Sequence, residues 1–459
     1  MNLDNNFIYF LTERLTKSNV YPPLELAQNL KREDVVKAWQ DLVSRVGQDD
    51  YRDHSFGLYL HLPFCPSKCL FCSCPSFVEN NPVAIKKYVD SMVQEIDFFS
   101  PFLKDLEVKT IWVGGGTPSH LPLELIEKII KNIFSSFKMH KTDWQFNFEA
   151  SPQTLNPPKL NLLKEAGVSR LSMGVQSTFG KVLSKIGRVQ SFDNVAGVVN
   201  YSRKIGIKHI NLDYVAGLPG ESLQSFLRGF TQIIKLRPDI IHLFAFHPTA
   251  DTRFIKEGNE YGPKDVEQRS KMLKLGEKII RSAGYKEIKN ESWGLCYEAR
   301  NMQDAAKKEV PCSVLGLGKF ARSNISKILH YKNTPLHYDH AAGYEYVGCY
   351  LDKAEEMRHF LMGSLRGGFN VSDFKNIFNV DPLQEFASEF EYLSNFNKLK
   401  IEGELIRMMV RNTNEYHFLC KKLFYSENVL KRLREYFKDI YDQSNDYKLL
   451  LDKNFDTNF

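Results

Sequence analysis

Long apolar runs are missing from this 459-residue chain. No stretch approaches eighteen consecutive apolar residues, so the sequence predicts no transmembrane helix. The opening residues, Met1-Asn2-Leu3-Asp4-Asn5-Asn6, lack the basic and apolar regions of a secretory signal. A soluble, cytoplasmic protein is therefore expected. Charge of one sign is also scarce, with 61 Lys and Arg against 55 Asp and Glu, a net of +6. That mild excess gives no case for a nucleic-acid partner and suits an acidic small-molecule substrate. No internal repeat or low-complexity linker interrupts the chain. Its eight cysteines are scattered through a long sequence, which speaks against a disulfide framework and for a reducing compartment. Only one short C-x2-C knuckle occurs, whereas a structural zinc site usually pairs two.

What is present begins with size. Apolar residues make up 43% of the chain, ample for a sizeable core, and the length predicts two or three units. The informative stretch is Cys65-Pro66-Ser67-Lys68-Cys69-Leu70-Phe71-Cys72-Ser73-Cys74, which follows a strand-like run Gly57–Pro63. Three thiols at C-x3-C-x2-C spacing are close enough for one small metal centre. Iron–sulfur clusters held by cysteine alone usually take four thiolates. Cys74 lies two positions beyond Cys72 and is poorly placed to join it on one cluster, and the next thiol, Cys296, is far along the chain. Three protein ligands would leave one iron open, and an open position is what metal catalysis needs.

Residues 1–54 read as a helical arm, broken at Tyr21-Pro22-Pro23, with apolar residues at helical spacing in Asp34–Val43. From Gly57 onward strands alternate with helices. The strand-like runs are Val108–Val113, Gln145–Glu149, Ser169–Gly174, His209–Asp213 and Ile240–Ala245. Such alternation predicts a parallel sheet with crossover helices, an α/β fold of partial (β/α)-barrel type, over residues 55–335. Residues 336–459 read as a separate, mostly helical, winged-helix-like domain, with Leu405–Val410 as its wing strand. Its basic residues read as a solvated face.

Ligands of parallel sheets sit at the carboxyl ends of the strands. The cysteine loop, Gly114-Gly115-Gly116-Thr117-Pro118, Glu149, Gln176 and Asp213 all fall there. That shared location is the reason to treat them as one site. Each has a plainer reading: a tight turn for the glycines, a solvated strand end for Glu149, a surface position for Arg188.

The cysteine loop resembles the signature of the radical S-adenosylmethionine (SAM) enzymes. The resemblance implies a 4Fe-4S cluster on Cys65, Cys69 and Cys72, with S-adenosyl-L-methionine chelating the fourth iron. It also implies reductive cleavage of SAM to a 5′-deoxyadenosyl radical that abstracts substrate hydrogen. Tyr59, Phe71, Gly115, Gly116, Thr117, Glu149, Gln176, Arg188 and Asp213 match the cofactor-binding positions, the glycine run contacting the SAM amino group and Glu149 the ribose. The reduced state would need an electron donor such as flavodoxin or ferredoxin.

Within that family the chain is most similar to the oxygen-independent coproporphyrinogen III oxidase group. Tyr59–Cys65, Cys74, Gly114–Pro118, Arg170–Gln176 and Asn211–Pro219 carry the match. The group implies one or two SAM molecules and oxidative decarboxylation of propionate side chains on a tetrapyrrole. Four stretches depart from the pattern. Ser18–Pro23 replaces an Arg-Tyr-Thr-Ser-Tyr-Pro stretch, Ser151 an acidic residue, and Gly187-Arg188 an Asn-Arg pair. The late glycine-rich stretch ends in a bulky, charged Lys319-Phe320-Ala321-Arg322. Three functions follow: a propionate decarboxylase, a two-SAM methyltransferase or cyclopropanase, and a haem-binding chaperone, which Cys74 argues against.

Overall fold

The computed structural model describes residues 5–15, 21–48, 55–141, 144–249, 252–289, 292–295, 313–334, 345–410, 413–438 and 441. Cys296, Ser18–Val20 and the domain boundary expected at 335/336 lie outside the described residues.

Six strands occupy the centre of one large sheet: β1 Ser55–Leu62, β2 Glu107–Gly115, β3 Gln145–Ala150, β4 Arg170–Gln176, β5 His209–Ala216 and β6 Ile240–Ala245. They pair in parallel in chain order, and Ser313–Leu317 adds a seventh parallel strand beside β1. Antiparallel strands extend both flanks, ending at Gln28–Leu30 on one side and Lys286–Lys289 on the other. The two ends do not pair among the described residues, so the barrel is open, as the alternation of strands and helices predicts.

Strands of a sheet covered on both faces usually read as continuous apolar runs. These alternate. Leu58 and Leu60, Ile111 and Val113, Phe146 and Phe148, Leu171 and Met173, Ile210 and Leu212, and Ile241 and Leu243 all lie in the main core. They face the crossover helices, such as Leu223–Lys235, which returns Phe226, Phe230 and Ile233 to the same core and is capped by Ser222. Burying each such side chain stabilises the fold by roughly 1.5–3 kcal/mol. Period-two alternation then forces Tyr59 and His61, Trp112, Asn147 and Glu149, Arg170 and Ser172, Asn211 and Asp213, and His242 onto the opposite, inner face. The inner face is therefore largely polar, and its side chains pair across strands, as Arg170 does with Asn147 and Asp213 with His242.

The N-terminal arm is divided between two cores. Helix Arg32–Arg45 packs Val35, Ala38, Trp39 and Leu42 on the main core, and Trp39 Nε1 donates to Tyr331 Oη at 3.0 Å. Helix Asn5–Arg14 instead gives Phe7, Ile8, Phe10 and Leu11 to a second core with residues from 349 to 437. That second core covers a small antiparallel sheet of Phe369–Asn370, Leu405–Met408 and Leu399–Glu402. The expected wing strand forms as its central member.

A buried charged cluster joins the sheet to the C-terminal helices. His330 Nε2 lies 3.0 Å from Glu356 Oε2, and buried Lys327 donates through Nζ to Ile377 O at 3.2 Å. Burial alone would raise the Glu356 carboxyl. The charge and hydrogen bond of His330, the charge of His359 and the Lys327 backbone outweigh it and hold the group at about 2. A depressed carboxyl stabilises the fold fully above its ordinary value near 4.5 and loses that contribution as pH falls towards 2. Glu356→Gln should thus destabilise the protein by roughly 3–5 kcal/mol at pH 7. In urea denaturation the gap between variant and wild type should close as pH falls through that window; a gap independent of pH would contradict it.

Candidate functional site

The site begins where β1 and β2 end. β1 leads through Leu62-Pro63 into the thiol loop, and β2 runs alongside into Gly114–Gly116. Two backbone hydrogen bonds tie these ends together: Gly116 N–H donates to Leu62 O and Thr117 N–H to Phe64 O, each at 2.8 Å. A Cβ on Gly116 would lie 2.6 Å from Phe64 O, so only glycine lets the loop sit this close. Gly114 is equally constrained, since a Cβ there would lie 2.8 Å from the Glu149 carboxylate.

The far side of the loop is clamped onto the helices. Leu70 N–H donates to Ile186 O at 3.1 Å, Phe254 N–H to Leu70 O at 3.0 Å, and Arg253 Nη1 to Lys68 O at 2.7 Å. Leu70 and Phe71 pack on a small cluster of Val182, Leu183, Ile186, Val215, Leu218, Phe246 and Phe254. Lys68 turns back within the loop, its Nζ donating to Cys74 O at 2.8 Å and to Ser76 O at 2.9 Å.

One pocket results, at the carboxyl ends of the parallel strands. It is lined by Cys65, Cys69, Cys72, Phe71, Gly115, Gly116, Thr117, Glu149, Gln176, Arg188 and Asp213. The structure thus brings together every residue expected to hold the cluster or SAM except Tyr59. That side chain lies beside the pocket, its Oη 2.8 Å from His61 Nδ1 and its ring edge-on to Trp112. Ser151, named from the sequence as a departure from the family pattern, lines the pocket too, and Lys68, Gln153 and Ser172 line it without having been singled out. Ser172 was findable as the inward neighbour of Arg170 in strand alternation; Lys68 carries no sequence signal beyond lying in the loop.

The thiols ring the pocket without converging on a point. Among the described residues no three His, Cys, Asp or Glu side chains could hold a single metal ion. Thr117 Oγ1 donates to Cys65 Sγ at 3.5 Å and Arg188 Nε to Cys69 Sγ at 3.3 Å. Arg188 also donates to Gly174 O, which fixes its guanidinium across the pocket wall. Burial raises the Cys65 thiol's pKa, outweighing the hydrogen bond from Thr117.

Three polar side chains face the thiols. Glu149 accepts from Trp112 Nε1 at 2.8 Å and from Gly115 N at 3.2 Å. Burial, outweighing the Trp112 hydrogen bond and reinforced by the charge of Asp213, pushes its carboxyl up to about 7. Asp213 accepts from Asn211 Nδ2 and lies against His242 Nδ1, both at 2.8 Å and both on Oδ1. Burial opposes its charge, but the hydrogen bond and charge of His242 prevail and lower the carboxyl's pKa. His242, absent from the sequence reading, comes from the neighbouring strand at the partner position to Asp213. Gln176 reaches the pocket from a left-handed backbone, φ 69°, at the bulge that ends β4.

Cys74 stands apart. It is exposed at the mouth of the pocket. A hydrogen bond from Cys74, and beyond it the charge of Lys68, hold the Cys72 thiol below its ordinary pKa despite burial, while the same contact raises Cys74. Cys72 is therefore the thiolate of the pair. In protein freed of metal, iodoacetamide at pH 7 should label Cys72 ahead of Cys74, and Cys74→Ser should slow it; labelling of Cys74 first would contradict the assignment.

Known proteins supply the remaining information. Residues 59–229 match the radical SAM superfamily. The haem chaperone HemW of Buchnera aphidicola subsp. Schizaphis graminum is 31% identical over 246 residues, covering 53% of this chain and 64% of that protein. The oxygen-independent coproporphyrinogen III oxidase of Escherichia coli K12 is 30% identical over 242 residues, 52% of each chain. The first curated relatives are matched over 51% to 64% of their own lengths. The solved coproporphyrinogen III oxidase (HemN) of Escherichia coli shares the fold, with a TM-score of 0.73 over 88% of this chain and 96% of that one at 21% identity. No helix among the described residues is long and apolar enough to cross a membrane. Residues 59–229 thus form a radical SAM superfamily domain, in a chain that resembles the oxygen-independent coproporphyrinogen III oxidase group.

Proposed function

We propose that this protein is a radical SAM oxidoreductase acting on a tetrapyrrole, by oxidative decarboxylation of coproporphyrinogen III propionates or a closely related reaction. The observation that carries the reading is the single pocket in which three thiols, a glycine run and two carboxylates meet. The residues present fit the cofactors. Cys65, Cys69 and Cys72 would hold three irons of a 4Fe-4S cluster. A cluster of this kind with SAM bound supplies one-electron cleavage of the sulfonium and a hydrogen-abstracting species.

This chain's own residues do the positioning. Gly115, Gly116 and Thr117 would bring backbone against the SAM amino group. Glu149, oriented by Trp112 Nε1, would take ribose hydroxyls; its raised pKa makes that binding weaken as the group protonates below about 7. Asp213, gripped at one oxygen by Asn211 and His242, presents the other to the pocket. Gln176 offers both a donor and an acceptor, and Arg188 steadies Cys69. Phe71 closes the apolar side of the loop. Electrons would come from a small donor protein such as flavodoxin or ferredoxin.

A second reading has its own support. Ser151 lines the pocket with its Oγ buried and unpartnered, where the decarboxylase group carries an acid. A site changed at that position suits a two-SAM methyltransferase or cyclopropanase. The chaperone reading leaves the polar inner face without a task.

Two experiments test this. Replacing Cys65, Cys69 or Cys72 with Ala should abolish cluster iron and 5′-deoxyadenosine formation, whereas Cys74→Ala should keep the iron. Loss of iron in Cys74→Ala would make that thiol a ligand. The reconstituted enzyme, given SAM, reductant and coproporphyrinogen III without oxygen, should yield a product two carboxyl groups lighter by mass spectrometry. Unchanged porphyrinogen with 5′-deoxyadenosine formed would overturn the decarboxylase in favour of the second reading.

A further inference from the structure

The strand Ser313–Leu317 beside β1 continues into a turn, Gly318–Ala321, and returns as Arg322–Ile325. That turn is held from several sides. Gly318 N–H donates to buried Glu95 Oε2 at 2.9 Å, and Asn333 Nδ2 donates to Gly318 O at 2.8 Å. Lys319 N–H donates to Tyr88 Oη at 3.0 Å, which itself donates to His61 O at 2.8 Å. Phe320 N–H donates to Asn333 O and Ala321 N–H to Gly318 O, each at 3.2 Å.

Inside this frame Phe320 adopts φ 68°. A bulky residue in the left-handed region is a true outlier, persisting only where the surroundings over-determine it. Glycine would fit the backbone without cost, so the ring itself is what the position retains. It stands edge-on to His61, centroids 6.2 Å apart, and Lys332 Nζ lies 5.6 Å from its centroid. Arg322 is the cross-strand partner of Lys332, which sets both cations on one face of the hairpin. Arg322 is exposed, and no described carboxylate forms an ion pair with it.

This wall adjoins the pocket. His61 Nε2 lies 2.9 Å from Pro75 O, next to Cys74 at the mouth. Gly316 pairs with Tyr59 and Leu317 with Leu60 of β1, so the turn that follows lies at the same carboxyl end of the sheet as the thiol loop. An aromatic ring with one cation against it and a second across the strand, at this end of the sheet, is chemistry for a flat anion with peripheral carboxylates.

We propose that Phe320, Arg322 and Lys332 form the substrate-reading wall of the site, with Arg322 and Lys332 taking a carboxylate and Phe320 the flat ring beside it. This rests on the tetrapyrrole reading above and names how such a substrate is selected. The contact is specific to the carboxylate edge and leaves the thiol pocket untouched.

The test uses the full-length, cluster-reconstituted protein and coproporphyrin III as a fluorescent probe, read by titration. The double variant Arg322→Gln/Lys332→Gln should raise Kd at least tenfold, the loss of one charge-assisted contact, and flatten its salt dependence. Arg322→Lys should recover most of the affinity, because it keeps the charge. Visible absorbance of the cluster serves as the fold control. Binding by the double variant within twofold of wild type would overturn the wall and leave the tetrapyrrole reading standing. No binding by wild type would overturn both.

Discussion

The pair of backbone hydrogen bonds between the end of β1 and the glycine run is the constraint on which the rest of the site depends. Gly116 N–H to Leu62 O and Thr117 N–H to Phe64 O fix the thiol loop to the sheet before any metal is considered. The loop is then closed on its other side by Leu70, Phe254 and Arg253. A loop held at both edges keeps three thiols in place with little ordering left to be done on binding, which is the sense in which a site is pre-organised. Were either edge free, conformational entropy would oppose gathering the thiols at all.

A second constraint is the inward polarity of the central strands. The outer residues supply the core, so stability does not require the inner ones to be apolar. Arg170 is fully buried there, its Nη1 2.7 Å from Asn147 Oδ1, and its charge favours the ionised forms of both Glu149 and Asp213. The two acids part all the same, because burial lifts Glu149 while the hydrogen bond and charge of His242 outweigh burial and lower Asp213. Divergent acids in one pocket mark a functional site better than either shift alone.

Much of this was legible in the sequence because it depends on strand ends. Cysteine spacing, the glycine run and the residues closing β3, β4 and β5 are local signals, and a parallel sheet gathers strand ends at one edge. What stayed hidden comes from partners across strands. His242 matters only because β6 lies beside β5 in a register that sets it opposite Asp213. Tyr59 follows the alternation of β1 but ends on His61, outside the pocket, because a neighbouring imidazole takes its hydroxyl. The arm over residues 1–54 reads as one domain broken at Tyr21-Pro22-Pro23, yet it serves two cores, the change falling between Leu26 in the second core and Leu30 in the main one. No local pattern reveals which core a helix will join.

The central claim is that three thiols of this chain hold a cluster with one iron left for SAM. Mössbauer spectroscopy of protein reconstituted with 57Fe tests it most directly. The account predicts three irons alike and a fourth set apart, whose isomer shift moves when SAM is added. Four equivalent irons that ignore SAM would contradict it.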